Sequence, residues 1–257
     1  MDLDLLAKIN NMTIKEAKNI KLASSSINIK DFPPVATKEE EEEILRFYDY
    51  HPDLKASPQQ IIGTGSTAYR INEPWIQTYT GRRFSPTNPI TEAIVIEDIA
   101  HPLSMQCRFS GHVKQFYSVA QHSVLVSYIC DKADALWGLL HDGSEAYLVD
   151  IPRPIKRSGK FDNYLEFEDI MQGAICNRFN LPKDMPASVK VADDLLLATE
   201  ARDLMSPLHP EWTNMVEPLP FKIVPLPPAE AKALFLARFA ELTGIIVVED
   251  TSGYTIV

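Results

Sequence analysis

Through the second half of the chain, apolar residues recur at intervals of three and four, over residues 116–129, 133–148, 164–179, 187–205 and 229–242. That spacing gathers the apolar side chains of each stretch on one face of a helix, so five amphipathic helices are predicted and the main domain is mainly α. Pro152 and Pro154 close the second helix, because proline has no N–H for the helical ladder and drives the residue before it out of the helical region. Asp150 then falls just past a helix end. Between residues 75 and 101 the pattern changes to turn signals, Thr80-Gly81 and Ser85-Pro86-Thr87-Asn88-Pro89, with a short apolar run, Ala93-Ile94-Val95-Ile96. This predicts a strand or a short β-hairpin at the periphery.

Residues 1–75 are more polar, with Ser24-Ser25-Ser26, Pro33-Pro34, an acidic run from Glu39 to Glu43, and Gly63-Thr64-Gly65-Ser66. They read as an N-terminal extension carrying a helix over 7–23 and a second that begins at Thr37, the glutamates forming a solvated face. Ile245-Ile246-Val247-Val248 predicts a strand in the tail. The division is an extension (1–75), a main helical domain (76–244) and a tail (245–257), with neither internal repeats nor βαβ alternation.

Composition narrows the classes of function. A chain of 257 residues that is 45% hydrophobic suits one large domain, and it holds no apolar run long enough to cross a bilayer. No basic, apolar and small-residue leader opens the chain, so a cytoplasmic location is expected. Three cysteines, Cys107, Cys130 and Cys176, without a CxxC pattern, suit reduced thiols. The formal charge of −10, with no long basic stretch, disfavours stable nucleic-acid binding. A small anionic substrate remains compatible, since a few cations in a pocket outweigh a distant net charge.

Four of the six histidines, His101, His112, His122 and His141, fall in one stretch, two of them on predicted helices. In His141-Asp142-Gly143-Ser144-Glu145, a continuous helix stacks Glu145 over His141, with Asp142 about 100° round. An imidazole nitrogen and a carboxylate oxygen there can share one divalent cation, with Glu145 placed to orient a water. Two ligands leave the coordination incomplete. His122 and an aspartate from Asp193-Asp194 are the best candidates to complete it, and periodicity does not choose between the two aspartates.

These stretches lie in an order that resembles the HD superfamily of metal-dependent phosphohydrolases, most closely its bacterial 5′-deoxynucleotidases and the phage enzymes that remove triphosphate from dATP. The resemblance is carried by Arg108-Phe109 with Gly111-His112, by Tyr117-Ser118-Val119-Ala120-Gln121-His122-Ser123, by His141-Asp142-Gly143-Ser144-Glu145 running on to Asp150-Ile151-Pro152-Arg153-Pro154-Ile155-Lys156, and by Lys190-Val191-Ala192-Asp193. It spans residues 75–244 and implies an HD-domain helical bundle. It also implies that His122, His141, Asp142 and Asp193 bind one divalent transition metal, of the set Mn, Co, Fe, Ni or Zn, with further Mg or Mn arriving with the substrate. Glu145 and Asp150 are then the catalytic carboxylates, Arg108, Lys156 and Lys190 phosphate ligands, and Phe109 an aromatic against the base or sugar. His112 either lines the phosphate path or caps a loop.

The implied reaction is hydrolysis at the 5′ phosphate of a deoxynucleotide, a dNMP giving nucleoside and phosphate or a dNTP such as dATP giving nucleoside and triphosphate. The alternatives are a phosphohydrolase of (p)ppGpp or a cyclic nucleotide, and a nucleotide-binding protein without catalysis. The resemblance further implies a homo-oligomer, a dimer or higher, acting in a bacterial or phage-infected cytoplasm on a small-molecule nucleotide. The deoxynucleotidase relatives begin near the Arg108 segment, so residues 1–75 are expected to have no counterpart in them.

Overall fold

The computed structural model describes residues 61–62, 69–70, 72–212, 216–245, 248–249 and 255–256. The helices expected over 7–23 and from Thr37 lie outside the described residues. Within them the protein is mainly α. The helices are α1 (Glu97–Met105), α2 (Val119–Ile129), α3 (Ala135–Leu140), α4 (Glu145–Leu148), α5 (Arg153–Lys156), α6 (Asp162–Arg178), α7 (Ala187–Leu204) and α8 (Pro228–Thr243). Three two-stranded antiparallel ladders accompany them: β1 (Ile61–Ile62) with β2 (Tyr69–Arg70), β3 (Ile76–Gln77) with β4 (Arg83–Phe84), and β5 (Val248–Glu249) with β6 (Thr255–Ile256).

Helix α2 is the axis of the bundle, and α1, α3, α7 and α8 all pack on it. Its residues from Val119 to Ser127 are all buried, the signature of a helix enclosed on every side. It starts at Val119 rather than at 116 because Ser118 caps it, its hydroxyl accepting the Gln121 N–H at 3.1 Å. Ile99, Leu103, Val124, Leu139, Met171 and Phe235 join one face of the core, and Tyr117, Leu125, Trp137, Val189 and Leu196 the other. Helix α8 begins on Pro228, where the missing N–H costs nothing, and ends at Gly244, which takes the left-handed φ of 75° that stops the helix.

The expected hairpin is β3–β4, pairing Ile76 with Phe84 and Gln77 with Arg83. It is latched to α1 by Asp98, whose buried carboxylate accepts the Thr80 N–H and the Thr80 hydroxyl, each at 2.8 Å. In the tail, Val248 pairs with Ile256.

Two expectations are corrected. The apolar run Ala93–Ile96 is not a strand: a 3-10 turn over Thr91–Ala93 leads into α1, which carries Pro102 in its interior. The Ile94 carbonyl is satisfied by Arg178 Nε of α6 at 2.9 Å instead of by a neighbouring strand. Nor is 133–148 one helix. It is divided into a 3-10 turn, α3, a tight turn over 141–144, and α4, and the break coincides with the His141-Asp142 pair.

Candidate metal centre

Three helical segments and one turn converge on a point beside α2. His122 lies in the first turn of α2, His141 and Asp142 follow directly after α3, Asp193 and Glu200 lie seven residues apart on α7, and Arg108 opens the 3-10 turn Arg108–Gly111. Seven residues are two helical turns, so Asp193 and Glu200 share a face. The Arg108 segment is pinned to the start of α2, with Arg108 N–H donating to Tyr117 O at 2.9 Å and Val119 N–H to Gln106 O at 3.1 Å. The turn that follows runs left-handed through Phe109, Ser110 and Gly111, at φ of 55°, 52° and 81°, a conformation that costs a non-glycine residue about 1–2 kcal/mol.

His122 Nε2 stands 3.2 Å from His141 Nε2, 3.3 Å from Asp193 Oδ1 and 3.7 Å from Asp142 Oδ2, and His141 Nε2 is 3.2 Å from Asp142 Oδ2. His122, His141 and Asp142 form a group whose ligand atoms all lie within 4.8 Å of one another, close enough to hold a metal ion. Asp193 is the aspartate turned to this point. Asp194 pairs instead with Lys190 one turn back.

Hydrogen bonding decides which ring nitrogens are available. His141 Nδ1 lies 2.8 Å from the Gly138 carbonyl, which only accepts, so Nδ1 carries the proton. His122 Nδ1 lies 2.7 Å from Glu200 Oε1. Both Nε2 atoms therefore face the two aspartates and each other inside a buried site. Two imidazole lone pairs and two carboxylates brought together in this way repel one another unless a cation or a proton lies between them. The donor set fits a divalent metal, with the other nitrogen of each histidine held by a carbonyl or a carboxylate, as metal-binding imidazoles commonly are.

Over 173 residues, the chain is 40% identical to the uncharacterized protein YfdR of Escherichia coli (strain K12), an alignment that takes in 96% of YfdR and 66% of this chain. The chain belongs to the YfdR family. A second relative, an uncharacterized protein of Rhodobacter capsulatus, is 34% identical over 188 residues, covering 95% of that protein and 65% of this one. No protein-family model matches the chain.

The charges in this YfdR-family protein lock one another in place. Glu200, wholly buried, bridges His122 to Arg108, whose Nε donates to Glu200 Oε2 at 3.1 Å while its Nη1 donates to Asp142 Oδ2 at 3.4 Å. The result is a closed ring of His122, Glu200, Arg108 and Asp142. Burial alone would raise the carboxyl of Asp142, yet the two histidines and Arg108 hold it well below the usual carboxylate range. Burial likewise opposes ionisation of Asp193 and Glu200, and in each case the neighbouring cations prevail and depress the carboxyl. For His122, burial and Arg108 disfavour the charged ring, but Glu200 and the hydrogen bonds to Asp193 and Glu200 push it up to about 9. A metal ion bound at Nε2 would have to compete with this proton for the same nitrogen.

Glu145 differs from the other carboxylates. It is buried at 8% exposure, and its Oε2 has no hydrogen-bond partner. Burial, then Asp142 and Asp150, drive its carboxyl well above the ordinary range, so it holds a proton far more readily than its neighbours do. Asp150 follows α4, on the far side of Val149, and Lys156 Nζ reaches to within 4.0 Å of it while donating to Glu168 at 2.5 Å. Lys190 is 47% exposed, paired with Asp194 and 3.7 Å from Asp193. Phe109 lies half-buried under the Arg108 guanidinium, 5.5 Å from its ring centre. His112 is exposed, and its backbone N–H closes the turn onto Phe109 O.

Glu200, Gln106 and Gln172 belong to this site and were not among the residues singled out from the sequence. A glutamate two turns from Asp193, on the apolar stripe that holds Val189 and Leu196, was the available signal for Glu200. No local signal marks the two glutamines. Gln106 donates to Glu145 O at 2.8 Å and accepts from Asp150 N at 3.4 Å, so one amide ties the two carboxylate-bearing residues together.

Proposed function

We propose that this protein is a divalent-metal-dependent nucleotide phosphohydrolase of the HD superfamily, acting on the 5′ phosphate ester of deoxynucleotides. The observation that carries the reading is the convergence of two Nε2 lone pairs with Asp142 and Asp193, beside one carboxyl, Glu145, whose surroundings raise its affinity for a proton. The superfamily and the deoxynucleotide class rest on the order of the Arg108, His122, His141-Asp142, Asp150 to Lys156 and Asp193 stretches.

His122, His141, Asp142 and Asp193 would hold the metal. When bound, such an ion supplies Lewis-acid charge to a phosphoryl oxygen and makes water more acidic. Glu145 accepts the proton of the attacking water at Oε2, as the water oxygen bonds to phosphorus and the P–O5′ bond breaks. The same carboxyl then returns that proton to the leaving oxygen, consistent with a group whose proton affinity is raised above that of an ordinary carboxylate. Asp150, tied to Glu145 through Gln106, raises that affinity further. Arg108 stands with its charge at the edge of the centre, and fixed cations of this kind stabilise the charge on phosphoryl oxygens in the transition state. Lys156 and Lys190 serve the same end further out, once substrate oxygens compete with Glu168 and Asp194 for them.

Incubation with Mn²⁺ or Co²⁺ and a panel of dNMPs, dNTPs and NTPs, with chromatographic resolution of the products, tests this. Free phosphate from a dNMP, or intact triphosphate from a dNTP, is expected, and both are lost in His141→Ala and Asp142→Ala. Hydrolysis of nothing in the panel under either metal, or undiminished hydrolysis by those variants, overturns it.

A further inference from the structure

The turn that carries His141, Asp142 and Glu145 is braced by a side chain from another helix. Leu140 O accepts the Gly143 N–H at 2.9 Å and Gln172 Nε2, from α6, at 2.9 Å. The Ser144 N–H would complete the next α-helical rung onto Leu140 O, but donates to Gln172 Oε1 at 3.2 Å. One amide thus inserts into a single rung, satisfying both groups that it separates. Around this point the backbone bonds run from residue i to i−3: Gly143 to Leu140, Glu145 to Asp142, Ala146 to Gly143 and Tyr147 to Ser144.

Tightening has a directional consequence. In an α-helix Glu145 stacks near His141, four residues back, whereas at three residues per turn it stacks over Asp142. The electrostatics agree, since Asp142 is the charged neighbour that acts most on Glu145. Gly143 permits the tight turn, because a Cβ there would meet Leu140 O at 2.9 Å and Ile175 Cδ1 of α6 at 3.1 Å. The α6 helix therefore presses on this turn at two adjacent points, by a hydrogen-bonding amide and by an aliphatic side chain.

We propose that Gln172 is a positioning residue, whose amide holds the 141–145 turn in its tight form and thereby sets Glu145 over Asp142 instead of His141. The effect on rate rests on the function proposed above, and the effect on geometry does not. In Gln172→Leu the side chain keeps its approximate bulk and loses both hydrogen bonds, so the Ser144 N–H closes directly onto Leu140 O and Glu145 swings towards the His141 column. A misplacement of about 1 Å costs on the order of 10²-fold in rate. The expected result is therefore a fall of that size in kcat, with KM and metal stoichiometry close to those of the unaltered protein.

Crystal structures of the two proteins, together with metal titration and steady-state kinetics, test this. Gln172→Glu, which keeps the acceptor for Ser144 and loses the donor to Leu140 O, gives an intermediate effect and serves if the leucine variant does not fold. A turn that stays tight in Gln172→Leu overturns the proposal whatever the rate, and so does a relaxed turn with unchanged kcat. Should the unaltered protein hydrolyse no nucleotide, the proposed function falls. The position of Glu145 in the two structures then still decides the role of Gln172.

Discussion

Replacing Glu200 by glutamine keeps the shape of a wholly buried side chain and changes only its charge and hydrogen-bonding sense. In the native protein both carboxylate oxygens accept, one from His122 Nδ1 at 2.7 Å and the other from Arg108 Nε at 3.1 Å. A glutamine offers one accepting oxygen and one donating NH2, so whichever way it turns, one of the two native donors faces another donor. The loss includes a charge-assisted hydrogen bond and leaves Asp142, at 3.4 Å, as the carboxylate paired with Arg108, with Asp193 beyond it. Breaking a buried pair of this kind by neutralising one partner costs about 3–5 kcal/mol, and the retained shape and remaining hydrogen bond put the expected loss near the lower end. Metal affinity is expected to fall about 10–100-fold, because the imidazole loses the carboxylate that fixes its tautomer and orientation. Thermal denaturation and calorimetric titration with Mn²⁺ read the two effects separately. A Glu200→Gln protein with native stability and native metal affinity would refute the closed ring as the support of His122.

Two further outcomes follow from the same geometry. Val149 is a β-branched residue at φ 67°, 60% exposed, with its carbonyl held by the Tyr164 hydroxyl at 2.5 Å. Glycine relieves a strain of about 1–3 kcal/mol against about 0.4–1 kcal/mol of added chain entropy, so Val149→Gly should raise the melting temperature, and a lower one contradicts the strain. Because His122 is pushed up to about 9, metal binding displaces a proton. Apparent affinity should rise with pH and level off above that value, with proton release visible in calorimetry run in buffers of different ionisation enthalpy; affinity independent of pH from 6 to 9 (~3 units, the span over which one displaced proton is worth about 4 kcal/mol) refutes that competition.

Legibility from the sequence followed the range of the forces involved. Periodicity placed α7 over 187–205 against the observed Ala187–Leu204, because a long helix reports its buried face in its own spacing. It failed at Ala93–Ile96, where four apolar residues carry no period and Pro102 disguised α1. The break after Leu140 was invisible for another reason: the group that causes it, the Gln172 amide, lies 32 residues away from Leu140 in the chain and on another helix. The same holds for Lys156, whose charge read as open to a ligand and is engaged by Glu168 of α6. Spacing could not separate Asp193 from Asp194, whereas the ion pair of Asp194 with Lys190 and the approach of Asp193 to His122 separate them at once.

Calorimetric titration of the metal-free protein with Mn²⁺ or Co²⁺, repeated on Asp193→Ala and Asp194→Ala, bears most directly on the centre built by α2, α3 and α7. One divalent ion per chain is expected for the unaltered protein and for Asp194→Ala, with binding abolished or greatly weakened in Asp193→Ala. No stoichiometric ion in the unaltered protein, or equal binding by the two variants, would contradict it.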